Sequence, residues 1–268
     1  MSAPVLRPSF GRTMFASLRL SLHMFLADPQ WVIPSTIAPV MFALAAFEIY
    51  RGSGPLLILY AVLGAGMMSM WGQTIYGSGW AIWQDREFGT LEPTLGSPSS
   101  YLGVIGGRVI WNALSGLLGG AIVVLVVGVA YGQPLPFQAP IVFGLLFAFV
   151  ILSLAAVGLV LASIFVYTRY AGFIQNVGEF AFYIGTGAMF PVILLPFWVT
   201  PFSLVFPPTW VIDALRYASI PGYHGFAWGF TGDIVGAVVT TALYVGIAAS
   251  VFRRVERHVL EVGNLDEY

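Results

Sequence analysis

The sequence predicts an all-α membrane protein with six transmembrane helices and with both termini in the cytoplasm. Three observations indicate this class: 58% of the residues are hydrophobic, only 9% are charged, and the mean hydropathy is +0.87. A soluble domain carries roughly 25% charged residues, so this chain cannot cover a surface that faces water. At roughly 20 apolar residues per crossing, the chain has room for about six crossings and short loops. Residues 1–268 are therefore expected to form a single transmembrane domain.

The first predicted element is an amphipathic helix over residues 9–27. Apolar side chains recur at helical spacing on one side, and polar or small side chains occupy the other. The apolar positions are Phe10, Met14, Leu18, Leu22 and Phe25, and the opposite positions are Arg12, Ala16, Arg19 and His23. Such a helix lies in the membrane interface with its apolar side toward lipid. The simplest interpretation is an N-terminal membrane anchor.

Five crossings follow from long apolar runs. They are predicted at residues 31–50, 56–84, 102–131, 140–167 and 233–252. The second run would extend about 43 Å at 1.5 Å per residue, whereas the apolar core of a bilayer is ~30 Å thick. This helix is therefore expected to protrude from the membrane and to carry the residues that follow it away from the lipid.

The fifth segment is predicted to be broken. It starts near Phe173 and runs into closely spaced prolines, which remove backbone donors and prevent a straight helical crossing. Irregular backbone at membrane depth must be surrounded by protein or water. Residues 191–220 are therefore expected to form an extracellular re-entrant segment, in which Thr209 caps a short amphipathic helix over residues 210–220.

The arginines predict the orientation of the chain. All basic residues are arginine, and with the N-terminus inside, nine of them are cytoplasmic and two are external. This distribution obeys the positive-inside rule. The nine are Arg7, Arg12, Arg19, Arg86, Arg108, Arg169, Arg253, Arg254 and Arg257, and the two are Arg51 and Arg216. Residues 85–100 are therefore expected on the cytoplasmic side.

The densest charge in the chain directly follows the second crossing. Residues 85–92 carry four charges, whereas residues 93–252 carry only six. Charge is costly inside a bilayer, so this cluster is expected outside it. Thr90 is predicted to cap a short helix that has Leu91 and Glu92 in its first turn. A protruding helix with a rigid polar end suggests that force is received from a cytoplasmic partner; an ordinary polar loop is the alternative.

The composition excludes several kinds of chemistry. Cysteine is absent, which excludes disulfides and thiolate chemistry. Lysine is absent too, so the chain has no Walker P-loop for hydrolysing ATP. The three histidines are isolated, and the first twenty residues lack the apolar core of a secretory signal peptide. No catalytic residue, metal, cofactor or nucleic-acid partner is therefore expected for this chain.

Two stripes of polar and aromatic residues are candidates for a substrate path. They are Gln73, Tyr76 and Trp80 on the second crossing, and Gln175, Glu179 and Tyr183 on the fifth. An ionisable residue inside a crossing usually faces a cavity or a partner helix. For Glu179, both a place in the path and a structural hydrogen bond between helices remain open.

The charged cluster resembles the coupling-helix region of ABC-2 type exporter permeases. Residues 87–92 read Glu-Phe-Gly-Thr-Leu-Glu, and Ser97-Pro98 follow shortly after. The family has an acidic-x-Gly-Thr-x-Glu stretch after its second crossing, and then a Ser/Thr-Pro. The predicted interfacial helix, six crossings and broken fifth segment are also similar to this family, over nearly the whole chain.

The resemblance implies the permease subunit of an ATP-driven exporter in a bacterial plasma membrane. Its implied partners are a second permease, identical or homologous, membrane lipid, and two nucleotide-binding ABC ATPase subunits that hold the ATP and Mg²⁺. The interfacial helix and a coupling-helix region over residues 85–100 would rest on the ATPase subunits. The coupling residues implied are Asp85, Arg86, Glu87, Gly89, Thr90, Leu91 and Glu92.

Several alternatives remain open. The apolar path and short external segments favour an amphipathic small molecule as substrate, such as an antibiotic, a drug or a lipid, and a lipid-linked polysaccharide is the second candidate. A self-sufficient secondary transporter or channel often shows internal repeats and paired broken helices, but only one broken segment is visible here. An intramembrane enzyme would need clustered acids, histidines or a Ser/Lys pair within the crossings.

Overall fold

A computed structural model describes most of the chain. The described residues are 8–50, 55–90, 93–94, 96–131, 138–167, 178, 181–189, 191–226 and 228–262. They contain helices and turns and no strand. The all-α class that the composition predicts is therefore confirmed for this part of the chain.

Long helices dominate the fold. In chain order they are α1 (Phe10–Ala27), α2 (Pro29–Tyr50), α3 (Pro55–Glu87), α4 (Tyr101–Tyr131), α5 (Pro140–Tyr167), α6 (Thr200–Val205), α7 (Pro207–Ser219) and α8 (Gly229–Val262), with a 3₁₀ turn at Val192–Leu194. Residues 181–185 form a further helical turn. α3 contains 33 residues and extends about 50 Å at 1.5 Å per residue, which is longer than the ~30 Å apolar core of a bilayer.

Among the described residues, four helices are long and apolar enough to cross a membrane. The stretches are Ile58–Ile75 in α3, Tyr101–Ala130 in α4, Pro140–Phe165 in α5 and Gly229–Arg254 in α8. α2 holds a shorter apolar stretch, Ile37–Ile49. Most of the predicted fifth crossing lies outside the described residues, so the count of six crossings stays a prediction.

The core lies between α3, α4, α5, α7 and α8. α3 packs against α2, α4 and α5, and α7 lies between α5 and α8. α3 and α4 approach closely because Gly116 on α4 faces the backbone of Met70, where a Cβ would lie 2.8 Å from the Met70 Cα. Trp71 and Phe165 are among the largest fully buried side chains. Small residues at helix contacts are what membrane helices use to pack closely.

α1 agrees with the predicted helix over residues 9–27, and one side of it packs on α4. Thr13 and Ser17 are buried on that side, and the Phe25 ring lies edge-on to Trp111 with centroids 5.6 Å apart. The Ser17 hydroxyl donates to the Val104 carbonyl at 2.6 Å. A Cβ at Gly107 would overlap the Met14 carbonyl, so the close contact of the two backbones depends on that glycine.

α7 begins three residues earlier than predicted. Phe206 is its N-cap residue, and Pro207 and Pro208 fill the first two helical positions. Proline is tolerated there because the first N–H groups of a helix have no partner within it. Thr209 lies inside the first turn, so the expectation that Thr209 caps this helix is wrong. The helix is also buried on nearly all sides, because α5 and α8 cover both its polar and its apolar positions.

Candidate functional site

α3 ends in a turn that requires glycine. Gly89 has a φ of 62°, a conformation that costs roughly 1–2 kcal/mol for a residue with a Cβ. The Thr90 N–H donates to the Asp85 carbonyl at 2.8 Å, and the Gly89 N–H donates to the Arg86 carbonyl at 3.0 Å. These two bonds form a Schellman motif, which satisfies carbonyls at the end of the helix. We call residues 85–90 the α3 tip.

One half of the α3 tip is held inside the protein. The Asp85 carboxylate accepts two bonds from the Arg108 guanidinium of α4, Nη1 to Oδ2 at 2.5 Å and Nη2 to Oδ1 at 3.1 Å. The Thr90 hydroxyl donates to Oδ1 at 3.2 Å. Asp85 is only 6% exposed. Paired bonds between arginine and carboxylate are strong and directional, so this contact joins the end of α3 to α4.

The other half of the α3 tip is exposed. The Phe88 ring is 71% exposed, and Glu87 beside it is exposed too. Residues 93 and 94 are helical, and the Thr94 N–H donates to the Thr90 carbonyl at 3.1 Å. The Thr90 hydroxyl donates to Asp85, and whether Thr90 caps a helix stays a prediction, because the first turn of that helix lies outside the described residues. The exposed half offers an apolar ring next to a carboxylate, which is a surface suited to contact with a protein.

The predicted coupling residues differ in burial and in hydrogen bonding. Asp85 and Thr90 belong to the hydrogen-bonded half of the tip, Arg86 is half-buried, and Glu87 is exposed. Leu91 and Glu92 lie outside the described residues. Arg108 was missed as a site residue, although an arginine at the start of an apolar run was a visible signal that it needs a carboxylate partner.

A second polar site surrounds α7. Arg216 is buried, and its Nη2 donates to the Gly187 carbonyl at 2.5 Å and to the Ala188 carbonyl at 3.2 Å. Burial lowers the pKa of Arg216, while the neighbouring Tyr223 and Asp213 oppose that shift, and arginine stays charged in proteins. The guanidinium therefore fixes the turn at residues 186–189 onto α7.

Three more side chains complete what we call the Arg216 cluster: Asp213, Tyr223 and Asp233. The Tyr223 hydroxyl donates to Asp213 Oδ1, and the Phe226 N–H donates to Oδ2 at 3.1 Å. Burial, and then Asp213, raise the pKa of Tyr223, so its hydroxyl keeps the proton that it donates. Asp233 of α8 is fully buried and lies beside Asp213.

The two acids of the Arg216 cluster can bond to each other only through a proton. Neither oxygen of Asp233 has a donor among the described residues, and an ionised carboxylate can only accept. One shared proton would give Asp213 and Asp233 a single negative charge between them, which Arg216 balances. The cluster would then be neutral, as burial demands.

Aromatic side chains connect α3, the broken segment and α8. Phe182 stacks on Trp71 at a centroid distance of 5.6 Å and meets Phe206 edge-on at 5.2 Å. Phe206 also lies 6.3 Å from Tyr244 of α8. Such pairs contribute about 0.5–1.5 kcal/mol each beyond the area that they bury, so this group fixes the broken segment against its neighbours.

The predicted substrate path is only partly described. Gln73 is half-buried and packs toward α4, since a Cβ on Gly116 would lie 3.3 Å from the Gln73 Cβ. Tyr183 is 4% exposed. The side chains of Tyr76 and Trp80 lie outside the described part of the structure, as do Gln175 and Glu179. The proposed path therefore stays a prediction. Within the described residues, no group of three or more His, Asp or Glu side chains could hold a metal ion.

The described residues have the features of a multi-pass helical membrane protein: four helices are able to cross a membrane, and α3 ends in a capped, ion-paired tip. The sequence profile of the ABC-2 type transporter family matches residues 13–220, which is more than half of the chain and includes the α3 tip. This chain belongs to the ABC-2 type transporter family, whose membrane domains are permease components that generally work with a separate ABC ATPase. A search among curated proteins finds no sequence that matches the chain.

Proposed function

We propose that this chain is the membrane subunit of an ATP-driven exporter, assembled with a second permease and two nucleotide-binding subunits. Family membership supports the permease role. The observation that carries the rest is the α3 tip, which exposes Phe88 and Glu87 while Asp85 is fixed to Arg108. An exposed apolar ring on a rigid support is typical of the side chains that dominate binding between proteins.

The hydrogen bonds of Asp85 and Thr90 provide a route by which movement of the α3 tip reaches the rest of the protein. A displaced tip cannot rotate freely at Gly89, because Thr90 is bonded to Asp85 and Asp85 to Arg108. Movement of the tip must therefore move α3 and α4 together. Tyr60 lies 25 residues before Asp85, about 38 Å along α3, and its ring is 6.4 Å from that of Tyr223. α3 thus connects the tip with the Arg216 cluster.

The substrate we propose is an amphipathic small molecule, such as a drug, an antibiotic or a lipid. Residues 181–212 contain no charged side chain, and aromatic rings line the contact of this segment with α3. An apolar and aromatic surface suits a substrate with a large apolar part. A lipid-linked polysaccharide is the alternative substrate, and it would need many more hydrogen-bonding groups along its path. A transport assay distinguishes it from an amphipathic small molecule.

The decisive experiment reconstitutes the permease with its nucleotide-binding partner in liposomes. We expect export of a fluorescent amphipathic amine that requires ATP and the partner. Phe88→Ala should weaken binding of the partner by about 30-fold, as loss of a central aromatic anchor does. Phe197→Ala is the matched control, because Phe197 is 87% exposed but lies in the predicted external segment.

Three results would contradict the proposal. Transport without the partner would favour a secondary transporter or channel. Transport of a lipid-linked glycan, with none of the amine, would replace the substrate class. Equal binding of the partner by the Phe88→Ala and Phe197→Ala variants would remove the α3 tip from the contact.

A further inference from the structure

The outer side of α1 carries a groove with a mixed lining. It faces away from the side that packs on α4, and its volume is about 440 Å³. The lining residues are Arg12, Phe15, Ala16, Arg19, Leu20 and His23. Ala16 has the smallest side chain of the six and lies between the two arginines in sequence, so it leaves space between their longer side chains.

The basic side chains of this groove are available for a ligand. Arg12 and Arg19 are exposed, and neither has an acidic partner among the residues that the structure describes. The His23 ring hydrogen-bonds through Nδ1 to the Arg19 carbonyl at 2.7 Å. Because a carbonyl only accepts, Nδ1 is the donor, and Nε2 remains for another partner.

Exposed apolar side chains flank the basic ones. Phe15 and Leu26 are 67% and 66% exposed on one flank, and Leu20 and Met24 are 54% and 50% exposed on the other. A helix that presents cations between two apolar flanks suits the boundary between lipid headgroups and acyl chains. In that position long basic side chains reach the headgroups while apolar ones enter the acyl layer.

We propose that this groove binds the phosphate of an anionic phospholipid such as phosphatidylglycerol. The two guanidinium groups complement the charge and the shape of a phosphate, and the acyl chains would lie against Phe15 and Leu20. The arginine distribution predicts that α1 lies at the cytoplasmic leaflet, whose anionic lipids attract basic segments. The occupant is thus a membrane lipid and not a soluble anion.

The test uses the purified full-length chain in detergent, titrated with phosphatidylglycerol and followed by native mass spectrometry. We expect the Arg12→Gln/Arg19→Gln double variant to bind the first lipid on the order of 30-fold more weakly. Arg253→Gln/Arg254→Gln, which changes two exposed arginines of α8, should bind it like the wild type. Ala16→Leu keeps both charges but fills the groove, and it should weaken binding as well.

Other outcomes would overturn the proposal. Equal affinity for phosphatidylglycerol in all variants would exclude a site on α1. Displacement of the lipid by millimolar inorganic phosphate would make the groove a site for soluble anions. If Arg12→Gln/Arg19→Gln binds the lipid normally but loses the nucleotide-binding subunit, the groove is a protein contact. If the wild type binds phosphatidylcholine as tightly as phosphatidylglycerol, the arginines do not select an anionic lipid.

Discussion

At the scale of single residues, the α3 tip needs Gly89 and Asp85 for separate reasons. Gly89 supplies the positive φ that closes the Schellman motif. Asp85 supplies the carboxylate that receives Arg108 and Thr90. Because one residue sets the backbone and the other sets a side-chain contact, their variants should fail in ways that an experiment can tell apart.

Gly89→Ala should loosen the tip without changing its contacts. The alanine Cβ meets no atom within 4 Å, so the cost comes from the backbone alone, at about 1 kcal/mol. Amide exchange at residues 85–90 should accelerate about fivefold, measured by hydrogen–deuterium exchange and mass spectrometry. Gly128→Ala is the control, since it also meets open space but lies within α4 and lacks a positive φ. Unchanged exchange at the tip would contradict the role of Gly89.

Asp85→Ala and Arg108→Ala should each destabilise the protein and reduce transport per ATP hydrolysed. Each leaves one charge of a largely buried pair without its partner, which costs about 2 kcal/mol at this partial exposure. The double variant should cost less than the sum of the two, because no unpaired charge remains. Thermal unfolding of all three variants, with transport and ATPase rates, gives the coupling energy. Additive losses would show that the two residues act independently.

At the scale of elements, α7 is fixed by charge as well as by apolar packing. Arg216 bonds to the carbonyls of Gly187 and Ala188, and Asp213 accepts from Tyr223 and from the Phe226 backbone. At the other end, the Ala139 N–H donates to the Ala218 carbonyl at 2.8 Å, which satisfies a terminal carbonyl of α7. A short helix that begins with two prolines is thereby tied to three other segments.

The Arg216 cluster predicts a large loss of stability for one substitution and almost none for another. Arg216→Met should lower the midpoint of thermal unfolding by about 10 °C, because it removes the bonds to the turn and leaves a buried carboxylate without its cation. Asp233→Asn should leave the midpoint nearly unchanged, since the amide replaces the shared proton with an N–H donor toward Asp213. Arg253→Met, at an exposed position, is the control. A large loss in Asp233→Asn would refute the shared proton.

The sequence was sufficient for elements whose signal is local. Apolar runs gave the ranges of α2, α3, α4 and α5 closely, because length and hydropathy decide what a membrane helix needs. It failed where the partner is remote: the ion pair of Asp85 joins residues 23 positions apart, and the bond from Arg216 to Gly187 spans 29. Thr209 was misassigned because two prolines, placed where a helix accepts them, moved the start of α7 upstream.

At the scale of the whole molecule, α3 carries a polar site at each end. The ion pair of Asp85 lies near its C-terminus, and its N-terminal half faces the Arg216 cluster through Tyr60. A Cβ on Gly64 would lie 3.2 Å from the Met189 carbonyl, so the broken segment also rests on this half. The ~38 Å between Tyr60 and Asp85 exceeds the apolar thickness of a bilayer, which predicts that the two sites open to opposite sides.

Single cysteines test this arrangement directly, because the chain has none of its own. Ser97→Cys lies beyond the α3 tip, and His224→Cys lies in an exposed turn beside the Arg216 cluster. His224 is preferred to Gly222, whose φ of 72° would strain any side chain. In intact cells, an impermeant maleimide should label His224→Cys and spare Ser97→Cys until the membrane is opened. Ala113→Cys, fully buried in α4, should stay unlabelled in both conditions. Labelling of both test cysteines from outside would place the two ends of α3 on one side, and transmission of movement across the membrane through α3 would then be impossible.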